Sequence, residues 1–598
     1  MVGLSVKKFA GSVPTTGDRA LAEGFAAESV NTWLYGKELR GIRPPVELLT
    51  INPGIDKVFR IPRGTPGFDP AWPGIVPPAS HLTDSTWKYL DHPDTDVVKG
   101  VLINDSFDRW YFCSPQTNLM LNTTDRLETA ATDYIAGVTG PGAAVTISGT
   151  NTNNVSRAYV YTYQTIYGEE SAPSPAKVGA FDPAQPWLIG NLPSAPAAAV
   201  GYVPLKYLIL YRTITSSSGL ATYFQVKKFQ IGVDVIPDPY SDTLADTVLA
   251  SNLQLNTIGW LPPPRFKAGN PNATPPTIDE PGLQGIVAMP NGFLVGFSGS
   301  DIYMSVPYQP HAWPIEYIVS TEFPIVGLGV IGNSCIVCTQ GYPSVLTGVE
   351  PASTSLTKIN TTEPCLSRGG IVSTINGVYY PSQNGLIGVR PSGLQNITET
   401  LITREQWITD FSPEYLRAVR FQNGYLAVRA VNDVSKRSAF YIDPSQLEVA
   451  LTELTDFDNC VNVVADVWSG EVFMLRDEKV WRWDAPSEKD LVPLRWKSKE
   501  YQLPYEVNLG AYAVYWDHDR FSDLDINLDI IDEGVPVRIL VWCNRRLVYD
   551  QNVPINRNGK QMRLPSGFVG DIWQFEIRAR APVYSFIIAQ TPRELRGD

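Results

Sequence analysis

Three clusters in this 598-residue chain have residue types and spacings from which chemistry can be built. Gly327-x-Gly329-x-x-Gly332 matches the dinucleotide pattern, which holds a pyrophosphate only when a strand precedes it and a helix N-terminus follows. Here the apolar run Cys335–Thr339 follows instead, so the glycines read as a connector between strands. Cys335-x-x-Cys338 has the spacing of a zinc or redox pair. In a strand, however, residues three apart point to opposite faces, which favours core packing. Asp523, Asp525, Asn527 and Asp529 resemble the first ligands of a calcium loop. That loop needs Gly at its sixth position and Glu at its twelfth, and this chain has Leu528 and Gly534 there. Their alternation with Leu524, Ile526, Leu528 and Ile530 predicts an amphipathic strand with an acidic outer face. The four histidines, His81, His92, His311 and His518, are scattered, and Asp517-His518-Asp519 reads as a solvated turn. Neither a Gly-x-Ser-x-Gly elbow nor a phosphate-binding loop is present. The expectation is a chain with no catalytic constellation, no cofactor and no metal.

The elements that would position such residues are strands, and they repeat. From about Gly282 to Asp484 one unit recurs: a turn, an apolar run, a second turn and a shorter apolar run. Its turns begin at Asn291, Asn333, Asn376, Asn423 and Ser469, roughly 42 to 47 residues apart, the period of four-stranded propeller blades. Asn-Gly at three of these turns supplies the positive φ that a tight hairpin needs. One such sheet cannot bury both faces, whereas neighbours stacked around an axis can. Residues 85–122 carry the same pattern once more, so an insert separates the first blade from the rest. Strands from both ends of the array would then close the ring.

Composition agrees. Proline (49), glycine (47) and an 11% aromatic share suit short strands and frequent turns. Only residues 399–419 could hold a short helix. The net charge of −13 and a pI near 5.0 argue against a nucleic-acid grip that works by neutralising phosphates. A surface past which nucleic acid slides without binding remains open. Six thinly spread cysteines do not form a disulfide framework. Residues 1–14 lack the apolar core of a signal peptide, and no run approaches the ~18 apolar residues of a membrane span. The expectation is a soluble product made in a reducing cytoplasm.

The fold expected is therefore all-β: a β-propeller with an inserted fibronectin type III-like β-sandwich and a C-terminal β module. Residues 1–84 read as an N-terminal arm, extended rather than compact. Trp33, Arg40, Arg43, Pro44 and Pro45 are its candidate partner-interface residues, since the prolines force an extended path and Trp33 with the arginines offers anchors. Equally open is that Trp33 packs on the chain's own propeller. Residues 85–124 form the first blade. Residues 125–280 hold the sandwich, marked by alternating runs such as Arg157–Tyr163 and Tyr207–Thr213, and a Pro-rich linker. Residues 281–485 supply the remaining blades, and 486–598 the C-terminal all-β module. Propellers host many functions. A propeller glycosidase is one alternative, although it needs convergent carboxylates, and the Ser-x-Asp-x-Gly turn of sialidases is missing where Ser106-Phe107-Asp108 runs on into Arg109.

Four stretches together resemble the tail nozzle proteins, or tail tubular proteins B, of short-tailed bacteriophages. Val30-Asn31-x-Trp33 with Arg43-Pro44-Pro45 is similar to that family's arm. Tyr159–Tyr163 through Gly168–Ser174, then Tyr211-Arg212-Thr213, resembles its inserted sandwich. Pro310–Pro314 with Val326-Gly327-Leu328 resembles its propeller, and Trp496–Lys499 with Arg563–Phe568 its C-terminal module. The resemblance implies a structural virion protein, not an enzyme, made in the host cytoplasm and carried in the virion tail. It would form a homo-hexameric ring on the tail adaptor ring and portal complex, beside the tail fibres, and extend the channel through which genomic DNA passes without specific binding. A negatively charged lumen would repel phosphates, which makes Asp523, Asp525 and Asp529 lumen candidates and puts Arg40 and Arg43 on outer or inter-subunit surfaces. A fibre-associated, glycan-binding adhesin is the alternative from another class.

Overall fold

The computed structural model describes residues 3–33, 38–62, 85–129, 131–152, 154–215, 221–267, 280–390, 393–430, 439–446, 449–485, 491–517 and 537–596. The protein is all-β, built of many sheets that are mostly small and antiparallel, and among the described residues helix is confined to segments of a turn or two. The short helix expected within 399–419 is a capped turn, Arg404–Gln406, running into one π turn, Trp407–Phe411.

Six four-strand units follow one another as up-and-down meanders. The first is Asp96–Lys99, Arg109–Cys113, Met120–Thr123 and Tyr134–Ile135. The second begins at Gly285–Ala288, the third at Ile325–Ile331, the fourth at Val372–Ser373 and the fifth at Leu416–Phe421. The sixth contains Cys460–Ala465, Val472–Arg476 and Lys479–Arg482, and takes its fourth strand, Val46–Thr50, from the other end of the chain. The first strand of each unit touches the first strand of the next. Apolar side chains fill every gap between neighbours, for example Val295, Cys335 and Val337 between the second and third, and Tyr379, Leu416 and Tyr425 between the fourth and fifth. Burying both faces of each sheet against its neighbours offsets the marginal stability of a lone meander.

The array curls back on itself. Arg368 and Arg417, entering the fourth and fifth units, pair with Asp96 and Asp94 at the entry to the first. A hairpin of Lys57–Pro62 and Ser85–Leu90 wedges between the sixth unit and the first, where Phe59 and Ile61 meet Trp110, Phe112 and Val464.

Between the first and second units the chain builds two facing sheets. One has the order Thr146–Ser148, Trp187–Gly190, Tyr240–Asp242. The other has the order Lys177–Phe181, Val155–Thr165, Leu205–Thr215, Ala221–Gln230. Tyr159, Trp187, Leu208 and Leu210 fill the space between them.

Three expectations need correction. Ser85–Leu90 belongs to the wedge hairpin, not the first meander, whose last strand lies beyond residue 124 at Tyr134–Ile135. The N-terminal segment is not an extended arm: Gly3–Val6, Ala26–Val30 and Val46–Thr50 each complete a different sheet. The C-terminal module is not a separate unit either. Ala26–Val30 lies between Leu451–Leu454 of the fifth meander and Leu494–Ser498, so one sheet runs from the meander array into the C-terminal strands. The reason is edge coverage, since each inserted N-terminal strand pairs a sheet edge that would otherwise present unpaired backbone groups.

Candidate functional site

A buried group of polar side chains lies where the inserted sandwich meets the first two meanders. The Arg109–Cys113 strand starts with Arg109, buried to 5% exposure. The preceding turn brings Asp105 back onto it: Oδ2 accepts from Arg109 Nε at 2.7 Å and Oδ1 from Nη2 at 3.2 Å. From the sandwich turn after Val155–Thr165, Glu169 Oε1 accepts from Arg109 Nη1 at 2.8 Å. His311, on the loop following Asp301–Met304, meets the neighbouring carbonyl of Glu170 through Nε2 at 3.1 Å. A cavity of about 310 Å³ opens here, lined among others by Asn104, Phe107, Tyr167 and Tyr308.

The electrostatics follow from burial and charge. Burial pushes the Asp105 carboxyl up, but the Arg109 fork and the backbone N–H groups of Phe107 and Arg109 outweigh it and hold it below its ordinary value. Burial raises Glu169, and Arg109 only partly reverses this. His311 is pushed down to about 3, chiefly by burial, against the Glu170 hydrogen bond and with help from the Arg109 cation. Two carboxylates sharing one guanidinium form a clamp between units: Asp105 and Arg109 from the meander, Glu169 from the sandwich.

A second polar group sits where the first strands of the meanders converge. Asp96 Oδ2 accepts from Arg368 Nη2 at 2.6 Å and from the Ile286 N–H at 3.0 Å. Asp94 Oδ1 accepts from Arg417 Nη1 at 2.9 Å. Lys57 Nζ donates to the Thr95 carbonyl at 2.7 Å, and burial lowers its pKa against the pull of Asp96. These contacts tie the first, second, fourth and fifth units together.

The residues singled out from sequence land elsewhere. Trp33 packs on its own chain, the second of the two readings left open for it: its ring lies 5.4 Å from Phe421 and 6.4 Å from both Tyr441 and Trp483. It is half-buried and packs against the core between the fifth and sixth meanders, because an indole gains more from that apolar wall than from water. Arg40 and Arg43 bear on Asp484, whose carboxyl burial raises while the Arg43 N–H at 2.9 Å and both arginine charges pull it down. They hold the sixth meander to the N-terminal segment. Pro44 and Pro45 are half-buried and lead straight into the Val46–Thr50 strand. Asp523, Asp525 and Asp529 lie outside the described residues.

Cys335 and Cys338 face opposite sides of one strand, Cys335 in the core shared with the second meander and Cys338 in the core shared with the fourth. The Gly327 to Gly332 stretch is strand followed by a hairpin turn. A Cβ on Gly329 would come within 2.4 Å of Val378, so glycine here lets two sheets approach closely. Among the described residues, no group of three or more His, Cys, Asp or Glu could hold a metal ion, and no helix is long and apolar enough to cross a membrane. Sequence reasoning missed the Arg109 clamp; its only local signal was Asp105 four residues before Arg109, and the third member is 60 residues away.

No family model and no curated protein matches the chain. Three solved structures are similar over much of their length. One is a chain of the S. cerevisiae Dbp5 complex with Nup159 and Gle1, at 10% identity, covering 58% of this chain and 84% of that one, with a TM-score of 0.23. Apo AztD from Citrobacter koseri has 10% identity, 50% and 95% coverage and a TM-score of 0.20. The N-terminal domain of Nup159 has 8% identity, 73% and 99% coverage and a TM-score of 0.22. At such TM-scores these likenesses carry no argument about fold or activity.

Proposed function

We propose that the protein is a structural component of a short-tailed phage virion, a tail nozzle subunit. In this reading the six meanders are the blades of a β-propeller, and the insert is its fibronectin type III-like sandwich. The subunit assembles as a homo-hexamer on the adaptor ring and portal complex, with tail fibres alongside, and genomic DNA passes without specific binding. The observation that carries the reading is the chain order: a strand from the N-terminal segment completes the sixth meander, and a two-sheet insert separates the first meander from the second. That is the order in which the four family-like stretches occur. The pairs Arg368–Asp96 and Arg417–Asp94 stand where the meanders converge, so the DNA path in this reading runs between copies, not through one chain. Its lumen is neutral or acidic, as the net charge of −13 allows.

Native mass measurement of the purified protein, alone and with its adaptor and portal, tests the reading. A ring of six that joins the adaptor supports it. A monomer, or a trimer that binds a glycan, overturns it in favour of an adhesin.

A further inference from the structure

Among the described residues, the sandwich is fastened to the array through the turn around Tyr167–Glu170 and the loop around Gly201. The Ile135 N–H donates to Gly201 O at 2.7 Å and the Trp313 N–H to Leu261 O at 2.7 Å. Tyr167 rests edge-on against Phe107, ring centroids 4.9 Å apart. At the centre of this junction sits His311, 4% exposed, with Trp260 edge-on at 5.6 Å.

The protonation state of His311 follows from its neighbours. The Glu170 carbonyl can only accept, so Nε2 must carry the hydrogen. Nδ1 is then a bare lone pair, buried and without a partner. A second proton would place a charge and a new N–H where nothing accepts it. The groups around it give little relief. Arg109 is a cation and opposes it. Asp105 is held by Arg109 through both oxygens and Glu169 through Oε1. Glu169 Oε2 has no partner, but Glu169 is not among the charges that act on the His311 ring. Tyr111 and Tyr167 are phenols that burial keeps neutral. The Glu170 carboxylate faces the sandwich, where it accepts from Thr162 and Tyr211.

We propose that His311 is an acid-sensitive latch: protonating it releases the inserted sandwich from the first and second meanders. The docked junction accepts only the neutral ring, whereas an undocked imidazole takes a proton freely. The sign is that of a base whose pKa falls on docking. Docking is at full strength above the free value of 6.5 and weakens as pH falls from there toward about 3. Glu169 acts in the opposite sense, because burial raises it and docking therefore favours its protonated form; it reduces the response without sharing its origin. The latch belongs to one chain and stands whether or not the chain forms a nozzle.

Hydrogen exchange on the intact protein, corrected for intrinsic rates, reads the junction at the Ile135 and Trp313 amides. Between pH 7 and pH 5 the opening equilibrium of the wild type should rise by roughly 25-fold from His311 alone, less whatever Glu169 offsets. His311→Gln, which keeps a donor for the Glu170 carbonyl but does not titrate, should lose this rise. With only four histidines in the chain, ring NMR of the wild type gives an independent reading. The signal absent from His311→Gln should stay that of a neutral ring while the junction amides are protected. A junction that stays equally closed at pH 5, a response that His311→Gln shares, or a His311 ring that titrates near 6.5 with the junction still protected would each overturn the proposal.

Discussion

Replacing Asp242 with alanine tests whether the sandwich is held together by a charge it cannot afford to leave alone. Arg212 and Asp242 are both 0% exposed at their side chains. Asp242 Oδ2 accepts from Arg212 Nη1 and from the Tyr159 hydroxyl, each at 2.7 Å, and Oδ1 accepts from the Leu244 N–H at 3.0 Å. Among the described residues, the other carboxylate on Arg212 is Asp246, which is 44% exposed and also holds Arg157. Asp242→Ala would therefore strand a buried guanidinium beside a half-solvated partner and remove the phenol's acceptor. Breaking a buried pair from one side costs about 3–5 kcal/mol, or roughly two to nearly four decades of exchange protection at ~1.4 kcal/mol per decade. The assay is hydrogen exchange in Val155–Thr165 and Leu205–Thr215 of the full chain, with urea unfolding as a check. Arg212→Met with Asp242→Leu removes both charges and should recover most of the loss, because the penalty belongs to the unpaired ion. A loss below ~1 kcal/mol in Asp242→Ala would refute the reasoning, since the guanidinium would then be solvated in a way its burial denies.

Two other perturbations follow from the same geometry. Leu49→Asp places a charge in the Val46–Thr50 strand, where Leu49 pairs with Val480 and packs beside Val58 and Phe473; it should cost about 2–4 kcal/mol and release the sixth meander to early proteolysis, while unchanged cleavage would mean the strand is dispensable. Asp456 is pushed up to about 6, mainly by burial. A carboxyl raised on folding destabilises as pH climbs from ~4 through ~6, so Asp456→Asn should gain up to ~2 kcal/mol at pH 7 after allowing for its partial exposure, and nothing near pH 4. Denaturant midpoints of the two proteins that run parallel across this range would exclude a buried, costly Asp456.

The meanders were legible because their signal is local. Asn291-Gly292, Asn376-Gly377 and Asn423-Gly424 lie in hairpins whose strands pair within a few residues, although of these six residues only Gly292 takes the expected positive φ, and at the last turn Gln422 takes it instead. Period-2 alternation is likewise written in neighbouring positions. The two faces of the Cys335–Cys338 strand were legible for the same reason. What was not legible is pairing at long range. Nothing near Ala26–Val30 announces Leu494–Ser498 as its partner, more than 460 residues away, and an amphipathic five-residue strand with no fixed turn reads as arm. Trp33 shows the ambiguity most plainly, because a tryptophan beside arginines has one composition whether it anchors a partner or fills a core.

The partly buried charges between units mark the same limit and explain what these units gain from it. Asp94 and Asp96 lie two residues apart, and Arg368 and Arg417 lie some three hundred residues downstream, so sequence shows four ordinary surface charges. Meanders that nest only through apolar faces could slide or add a further copy, since leucine and valine contacts tolerate shifts of register. A salt bridge from the first unit to the entries of the fourth and fifth disfavours both; its side chains keep 12–35% of their exposure, so a shift would cost on the order of 1 kcal/mol per pair. The Arg109 clamp does for the sandwich what these pairs do for the array. Apolar cores supply most of the stability, and the partly and fully buried ion pairs between units favour the arrangement in which these sheets meet.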